Sequence, residues 1–179
     1  MNIIDAQRDV RTTFLGGFAG QLVSGTIWFL SAALATWYSP ATAIVVLVLG
    51  GFFIFPLTRL FLRLMGRPSS LAKGHPMNQL AMQIAFTLPL NLLLVAAATA
   101  YRFNWFYPAF MVALGTHYLP FIFLYGMREF GLLAVVLLAG GVVIALYLSS
   151  SFSLGGWFTA AALVIFAFIG RRAVLREVR

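Results

Sequence analysis

The chain has 179 residues, of which 62% are hydrophobic and 9% are charged, and its mean hydropathy is +0.97. Soluble domains carry about 25% charged residues, so this composition excludes an ordinary soluble fold and predicts one membrane domain over residues 1–179. The formal charge of +8 does not indicate nucleic-acid binding, because the cations form no basic module. With no cysteine and two histidines, disulfides and thiolate metal sites are excluded, and no cofactor or metal is expected.

Six hydrophobic runs are each long enough to cross a hydrocarbon layer about 30 Å thick as an α-helix. The runs cover residues 12–36, 40–62, 77–100, 106–126, 130–148 and 154–170. They predict an all-α, polytopic membrane protein built as a bundle of six transmembrane helices. The N-terminal segment before the first run, residues 2–11, alternates apolar and polar side chains. This pattern predicts a short interfacial helix.

The cationic side chains are distributed unevenly between the gaps that separate these runs. Eleven of the twelve lie in alternate gaps, namely Arg8, Arg11, Arg59, Arg63, Arg67, Lys73, Arg128, Arg171, Arg172, Arg176 and Arg179. Because cytoplasmic segments retain Lys and Arg, this distribution predicts that both termini are cytoplasmic. Membrane lipids with anionic headgroups are the expected partners on that side, with Arg59, Arg63 and Arg67 as the contacting residues or, alternatively, as an anion gate.

Six helices with both ends on one side divide into two halves of opposite orientation, which makes a 3+3 inverted repeat an alternative. At an offset of 90 residues the second run weakly matches the fifth, and each contains a glycine pair, Gly50-Gly51 and Gly140-Gly141. Glycine-interrupted helices in such repeats often mark a binding site near the midplane of the membrane. The other explanation is that these glycines only allow helices to pack closely.

Aromatic side chains mark the predicted outer ends of the runs. They are Trp37, Tyr38, Tyr101, Trp105, Tyr107, Tyr147 and Trp157. A belt of aromatic rings at the level of the lipid headgroups explains them, and an aromatic rim around a vestibule is the alternative.

The third run has a polar side chain at every fourth position. These residues are Gln79, Gln83, Thr87 and Asn91. Residues four apart lie on one face of a helix, and we expect this face to turn toward the bundle interior, because lipid offers no hydrogen-bond partners. Hydrogen bonds between helices and the lining of a pocket both explain such a stripe.

The first and fourth runs place further polar groups at a similar depth. Gln21, Ser24 and Trp28 lie on one face of the first run, and Trp28 is about 12 Å from its outer end. His117 lies near the middle of the fourth run and precedes Tyr118. Because an imidazole titrates near neutral pH, His117 is the strongest single candidate for function. The predicted ligand-binding residues are His117, Gln21, Ser24, Trp28, Gln83, Thr87, Asn91 and Tyr118.

Two further features concern the segment around His117. Pro120 has no amide hydrogen, so the carbonyl of Thr116 loses its helical partner and needs another. The stretch 115–121, Gly-Thr-His-Tyr-Leu-Pro-Phe, with Tyr125-Gly126 after it, resembles a segment of a bacterial family of small six-helix membrane proteins without an assigned function. The resemblance implies a protein of the bacterial inner membrane and implies no catalytic residue.

These features favour an integral membrane protein that binds a small neutral or anionic solute in a polar pocket inside the membrane. In its fuller form, the hypothesis is that the protein also transports this solute. A non-catalytic interaction or assembly subunit is the alternative. The ladder of Gly16, Gly20 and Ser24 supports helix pairing within one chain or in a homo-oligomer. An enzyme is the least favoured class, because acid-base chemistry needs two tuned groups and no carboxylate lies inside a run.

Overall fold

The computed structural model describes residues 2–177 and shows a helical chain there. Its α-helices are α1 (Ile3–Thr13), α2 (Phe18–Trp37), α3 (Pro40–Leu64), α4 (Met77–Tyr101), α5 (Phe106–Tyr118), α6 (Phe121–Tyr125), α7 (Glu129–Tyr147) and α8 (Leu154–Glu177). Short 3-10 turns at Leu15–Gly17 and Phe103–Trp105 lead into α2 and α5. Arg179, one of the cations assigned to the cytoplasmic side, lies outside the described residues.

Within residues 2–177, six helical segments are long and apolar enough to cross a membrane. They are Leu15–Trp37, Pro40–Leu64, Met77–Tyr101, Phe103–Tyr125, Glu129–Tyr147 and Leu154–Glu177. The predictions of an all-α chain and of six long apolar helices are therefore confirmed. The last helix continues beyond the predicted end at residue 170, because backbone hydrogen bonding does not stop where the apolar run stops.

The fourth span is broken near its C-terminal end, where the apolar run predicts one continuous helix. α5 ends at Tyr118 and α6 begins at Phe121, directly after Pro120. A proline ring clashes with the preceding helical turn and offers no amide hydrogen. The carbonyl of Thr116 accepts a hydrogen bond from the amide of Leu119 at 3.3 Å, so it is not the free acceptor that the sequence predicts.

α2 and α5 are the central helices of the bundle. α2 packs against α3 and α8, and α5 packs against α7 and α4. α3 and α4 are peripheral, since only 11% of the most apolar part of each is buried, against 50% in the spans that contain α2 and α5. The described residues of α3 and α4 have no extensive contact with each other.

Glycines allow several of these helices to approach closely. A Cβ atom at Gly50 would lie 2.8 Å from the side chain of Ile27, and one at Gly140 would lie 2.7 Å from the ring of Phe158. These distances leave no room for a side chain, so close packing accounts for both positions. Gly51 differs, because a Cβ atom there would meet nothing within 4 Å.

The turn between α1 and α2 brings two backbone segments together. Gly16 has a φ of +63° and faces Gly170 of α8, whose carbonyl oxygen would lie 2.7 Å from an added Cβ atom. Gly16, the first residue of the predicted small-residue ladder, therefore makes a contact within one chain, between the α1–α2 junction and α8.

α1 lies across one end of the bundle. Its buried residues are Ala6 and Val10, while the Arg11 guanidinium forms an ion pair with Glu177 at the end of α8. The first and last helices of the described chain thus meet on the same side of the bundle.

Tyr107 does not belong to an exposed aromatic belt, contrary to the prediction. Its side chain is fully buried, because the first turn of α5 faces α2. Ser31 donates to the carbonyl of Ala43 at 2.9 Å, and the Tyr107 hydroxyl lies 2.6 Å from the Ser31 oxygen. Since a serine hydroxyl has a single proton, Tyr107 is the donor in the second bond. The exposed members of the predicted belt include Trp37, Tyr38, Tyr101 and Tyr147.

Candidate functional site

A cavity of about 160 Å³ lies inside the bundle between α2, α3, α5 and α6, with one side chain each from α4 and α7. We call it the central cavity. Its polar lining residues are Gln21, Ser24, Trp28, Thr58, His117, Tyr118 and Tyr125. The described residues around it include no Asp, Glu, Lys or Arg, and most of the wall is apolar. A mainly apolar wall with a few polar groups is typical of sites for small molecules.

Five of the eight residues predicted to bind a ligand line the central cavity. They are Gln21, Ser24, Trp28, His117 and Tyr118. The first three lie on one face of α2 because they follow a spacing of three and four residues, and all three are buried. The two central helices thus bring together polar groups that the sequence places at similar depth.

The inward stripe predicted for the third run is wrong for Gln79 and Gln83. Both side chains are exposed on α4, whose buried residues are Met77, Ile84 and Val95. The physical reason is the peripheral position of α4, which contacts the bundle along one narrow face only. The polar stripe lies largely beside that face, so Gln83 does not line the central cavity.

Asn91 lines a different space. It is half-buried and borders a groove of about 410 Å³ between α4, α5 and α7. Trp105, also in this groove, donates its indole hydrogen to the carbonyl of Ala145 at 3.1 Å. The prediction of one pocket for all eight residues therefore does not hold for Asn91.

Gln21 is buried without a hydrogen-bond partner for its carbonyl oxygen. The residue is 4% exposed, and no described residue donates a hydrogen bond to its Oε1 atom. The Thr58 hydroxyl on the opposite wall, in α3, is likewise enclosed and unpartnered among residues 2–177. Because about 90% or more of buried polar groups in proteins have a partner, two such groups around one cavity need an explanation.

His117 is held in one orientation by α4. Thr87 donates its hydroxyl hydrogen to the carbonyl of Ile84 at 2.8 Å, and its oxygen lies 2.9 Å from His117 Nδ1. Since the hydroxyl has one proton, Nδ1 of a neutral imidazole donates to Thr87 and Nε2 keeps a free lone pair. The ring also packs against Phe121, with 5.2 Å between centroids. Thr87, predicted to bind a ligand, instead positions His117.

Sequence reasoning missed part of the cavity wall. Phe110 packs edge-on against Trp28 with 5.1 Å between ring centroids, and Tyr125 lies 4.8 Å from Phe130. Aromatic residues in an apolar run carry no signal that separates a cavity wall from a packed core. Thr58 had a weak signal, as a polar residue that follows a long apolar stretch of α3 and precedes Arg59.

The three arginines predicted to contact anions do not line the central cavity. Arg67 donates to the carbonyl of Thr12 at 2.7 Å and so ties the loop after α3 to the end of α1. Arg63 is exposed. The guanidinium of Arg59 lies 5.7 Å from the ring centre of Phe55, one turn earlier on α3.

Six helices long and apolar enough to span a membrane, packed around a common interior, are the architecture of an α-helical integral membrane protein. Within that class, the chain belongs to a family of unknown function, DUF7010, whose model matches residues 3–172. The match includes α1 through α7 and most of α8. The family model therefore covers nearly all of the fold described above. No curated protein and no solved structure matches the chain.

Proposed function

We propose that the protein binds a small neutral or anionic molecule in the central cavity. The observation that carries the proposal is Gln21, a buried amide without a partner for its oxygen, in a cavity that His117 also lines. Leaving such a group unsatisfied costs about 1–3 kcal/mol. Sites that break a local packing rule in this way are commonly functional, and a bound molecule that hydrogen-bonds to the amide explains it.

The test is thermal unfolding of the purified protein across a panel of small neutral and anionic solutes. A ligand at 100 times its Kd stabilises the folded state by about 2.7 kcal/mol, which raises the unfolding temperature. We expect Gln21→Leu to abolish the rise. Gln83→Leu is the matched control, because the same change on exposed α4 leaves the cavity intact. A ligand-induced rise of equal size in both variants would argue against the central cavity as the site.

We also propose that the membrane is the bacterial inner membrane and that both termini are cytoplasmic. The support for the choice of membrane is the resemblance of residues 115–121 to a bacterial family. The contact between Arg11 and Glu177 supports a common side for both termini, and the cations that the sequence places there support the cytoplasmic side. Arg63, exposed near the end of α3, and its neighbours Arg59 and Arg67 are the residues proposed to meet anionic headgroups.

We further propose that the protein transports the bound solute, and that its helices form the 3+3 inverted repeat that the sequence offers as an alternative. α2 packs on α3 and α8, while α5 packs on α7 and α4, as expected if the helices α2 to α4 correspond to α5, α7 and α8. The correspondence is incomplete, because α7 also packs on α8 whereas α3 and α4 do not pair extensively. Halves related in this way rock against each other in many transporters.

A role as an assembly subunit is favoured by a different observation, the exposed amides of α4. Gln79 and Gln83 lie on a helix that is only 11% buried over its most apolar part. A partner helix, from a second copy or another protein, would supply hydrogen bonds of about 0.6–2 kcal/mol. We expect Gln83→Leu to reduce self-association measured by light scattering in detergent, whereas Gln21→Leu should not.

A further inference from the structure

We infer that the ligand of the central cavity is a small neutral molecule with a ring-sized apolar body and a hydroxyl or N–H group that donates a hydrogen bond. This inference rests on the proposed binding function. It follows from the protonation pattern, the charge and the size of the cavity, each of which excludes a different group of molecules.

The protonation pattern sets the hydrogen-bonding character of the ligand. His117 uses Nδ1 as a donor to Thr87, whose own proton goes to Ile84. Nε2 of the neutral ring is therefore an acceptor and pairs with a donor. The Gln21 amide adds one acceptor and one donor group at the same cavity. A hydroxyl or N–H group complements Nε2, whereas an ether, a ketone or a carboxylate does not.

The charge of the wall excludes ions. The described lining residues carry no ionised side chain, so a buried carboxylate or ammonium would have no opposite charge and would lose several kcal/mol of solvation. The aromatic faces around Trp28 and Phe110 attract a desolvated cation by about 2 kcal/mol or somewhat more. That attraction is smaller than the several kcal/mol of solvation that a buried ion loses.

The volume sets the size of the apolar body. The cavity has about 160 Å³ of space, and an apolar cavity of about 150 Å³ holds one benzene molecule. Trp28 and Phe110 meet edge-to-face at 5.1 Å, and Tyr118 lies nearly parallel to Phe130 at 6.0 Å. A single ring, aromatic or saturated, fits walls of this kind.

Calorimetric titration of the protein in lipid nanodiscs, corrected with protein-free nanodiscs, tests the inference. The probes are phenol, toluene, anisole, benzoate and benzyltrimethylammonium, which differ in hydrogen bonding and charge at similar ring size. We expect phenol to bind about tenfold more tightly than toluene or anisole, as one hydrogen bond of about 1.4 kcal/mol predicts. We expect the two ions to bind more weakly than phenol.

His117→Phe should remove the preference for phenol over toluene while retaining toluene binding. Thr87→Val keeps the side-chain volume and the imidazole but removes the hydroxyl that fixes the orientation of the His117 ring. The preference for phenol over toluene should therefore fall severalfold. This variant keeps the test valid if His117→Phe does not fold. Gln83→Leu is the control and should keep the full preference.

The results distinguish this inference from the function on which it rests. If benzoate or toluene binds as tightly as phenol, and Gln21→Leu weakens that binding, the cavity is a binding site and the inferred ligand class is wrong. If no probe binds the wild-type protein, both the ligand class and the proposed site are overturned. A phenol preference that survives in both His117→Phe and Thr87→Val also overturns the inference.

Discussion

The turn between α1 and α2 holds a backbone conformation that most residues avoid. Leu15 has a φ of +50°, and Gly16 and Gly17 follow with φ of +63° and +80°. A left-handed conformation costs a non-glycine residue about 1–2 kcal/mol. Leu15 is 5% exposed and packs with Phe18 and Ala167, so burial of its side chain offsets this cost.

Gly16→Ala is expected to destabilise the protein by about 1–3 kcal/mol, because the added methyl group would lie 2.7 Å from the carbonyl oxygen of Gly170 at a positive φ. Thermal unfolding in detergent measures the loss. Gly51→Ala is the matched control, since nothing lies within 4 Å of its Cβ position, and its unfolding temperature should stay the same or rise. Equal losses in the two variants would contradict the close contact.

The buried hydrogen bonds of Ser31 lead to a second prediction. Tyr107→Phe should lower stability by about 1 kcal/mol, because Ser31 keeps its bond to the carbonyl of Ala43. Ser31→Ala should lower it more, since it removes both hydrogen bonds of the Ser31 hydroxyl and leaves the Tyr107 hydroxyl without a partner. Chemical denaturation of the two single variants and the double variant measures this order. A larger loss in Tyr107→Phe would show that the donor assignment is wrong.

At the scale of elements, α1 is fastened to the bundle through polar contacts at one end. Arg11 donates from Nε to Glu177 at 2.7 Å and pairs with its second oxygen. This hydrogen bonding raises the pKa of the Arg11 guanidinium above its ordinary value. Gln7 adds a bond of 2.6 Å to the carbonyl of Phe123 in α6. The first helix therefore joins α6 and α8.

A double-mutant cycle of Arg11→Ala and Glu177→Ala should give a coupling energy of about 1 kcal/mol. The value should fall at high salt, because the pair is partly exposed to solvent. Unfolding of the four proteins at low and high salt measures it. Arg172→Ala, an exposed residue of the same helix, should leave the stability unchanged. A coupling near zero at low salt would contradict a fastening role for the ion pair.

The elements also show why sequence reasoning succeeded for the helices and only partly for the site. Hydropathy is a property of each segment alone, so the six apolar helices could be predicted. Which face of a helix is buried depends on its neighbours. Gln21 on enclosed α2 is buried, whereas Gln83 on peripheral α4 is exposed. The position of α4, and the contact of Thr87 with His117, arise only when the helices pack.

At the scale of the whole molecule, the helices differ in how far they are enclosed. α2 and α5 are the central helices, α3 and α4 are peripheral, and the central cavity lies mainly between α2, α3, α5 and α6. α2 and α5 supply most of the cavity's polar groups, and α3 and α6 complete its wall. Five of the eight residues predicted to bind a ligand line the cavity, because α2 and α5 carry them at similar depth on the faces that border it. The aromatic wall, including Phe110 and Tyr125, could not be predicted, since its chemistry is that of an ordinary core.

The orientation of the bundle can be tested directly, because the chain has no native cysteine. Single changes Ser70→Cys and Ser150→Cys place thiols at exposed positions in loops at opposite ends of the bundle. We expect a membrane-impermeant maleimide to label Ser150→Cys in intact cells, and Ser70→Cys only after permeabilisation. The reverse pattern would place both termini outside and contradict the charge argument.

The central claim is that a bound molecule supplies the hydrogen bonds that the polar groups of the central cavity lack. An experimental density map of the protein, purified from native membranes and at a resolution that shows water molecules, tests it most directly. We predict density for a ring-sized molecule with a polar atom within hydrogen-bond distance of His117 Nε2 and near the Gln21 amide. A map in which protein side chains fill the cavity and bond to both groups would contradict the claim.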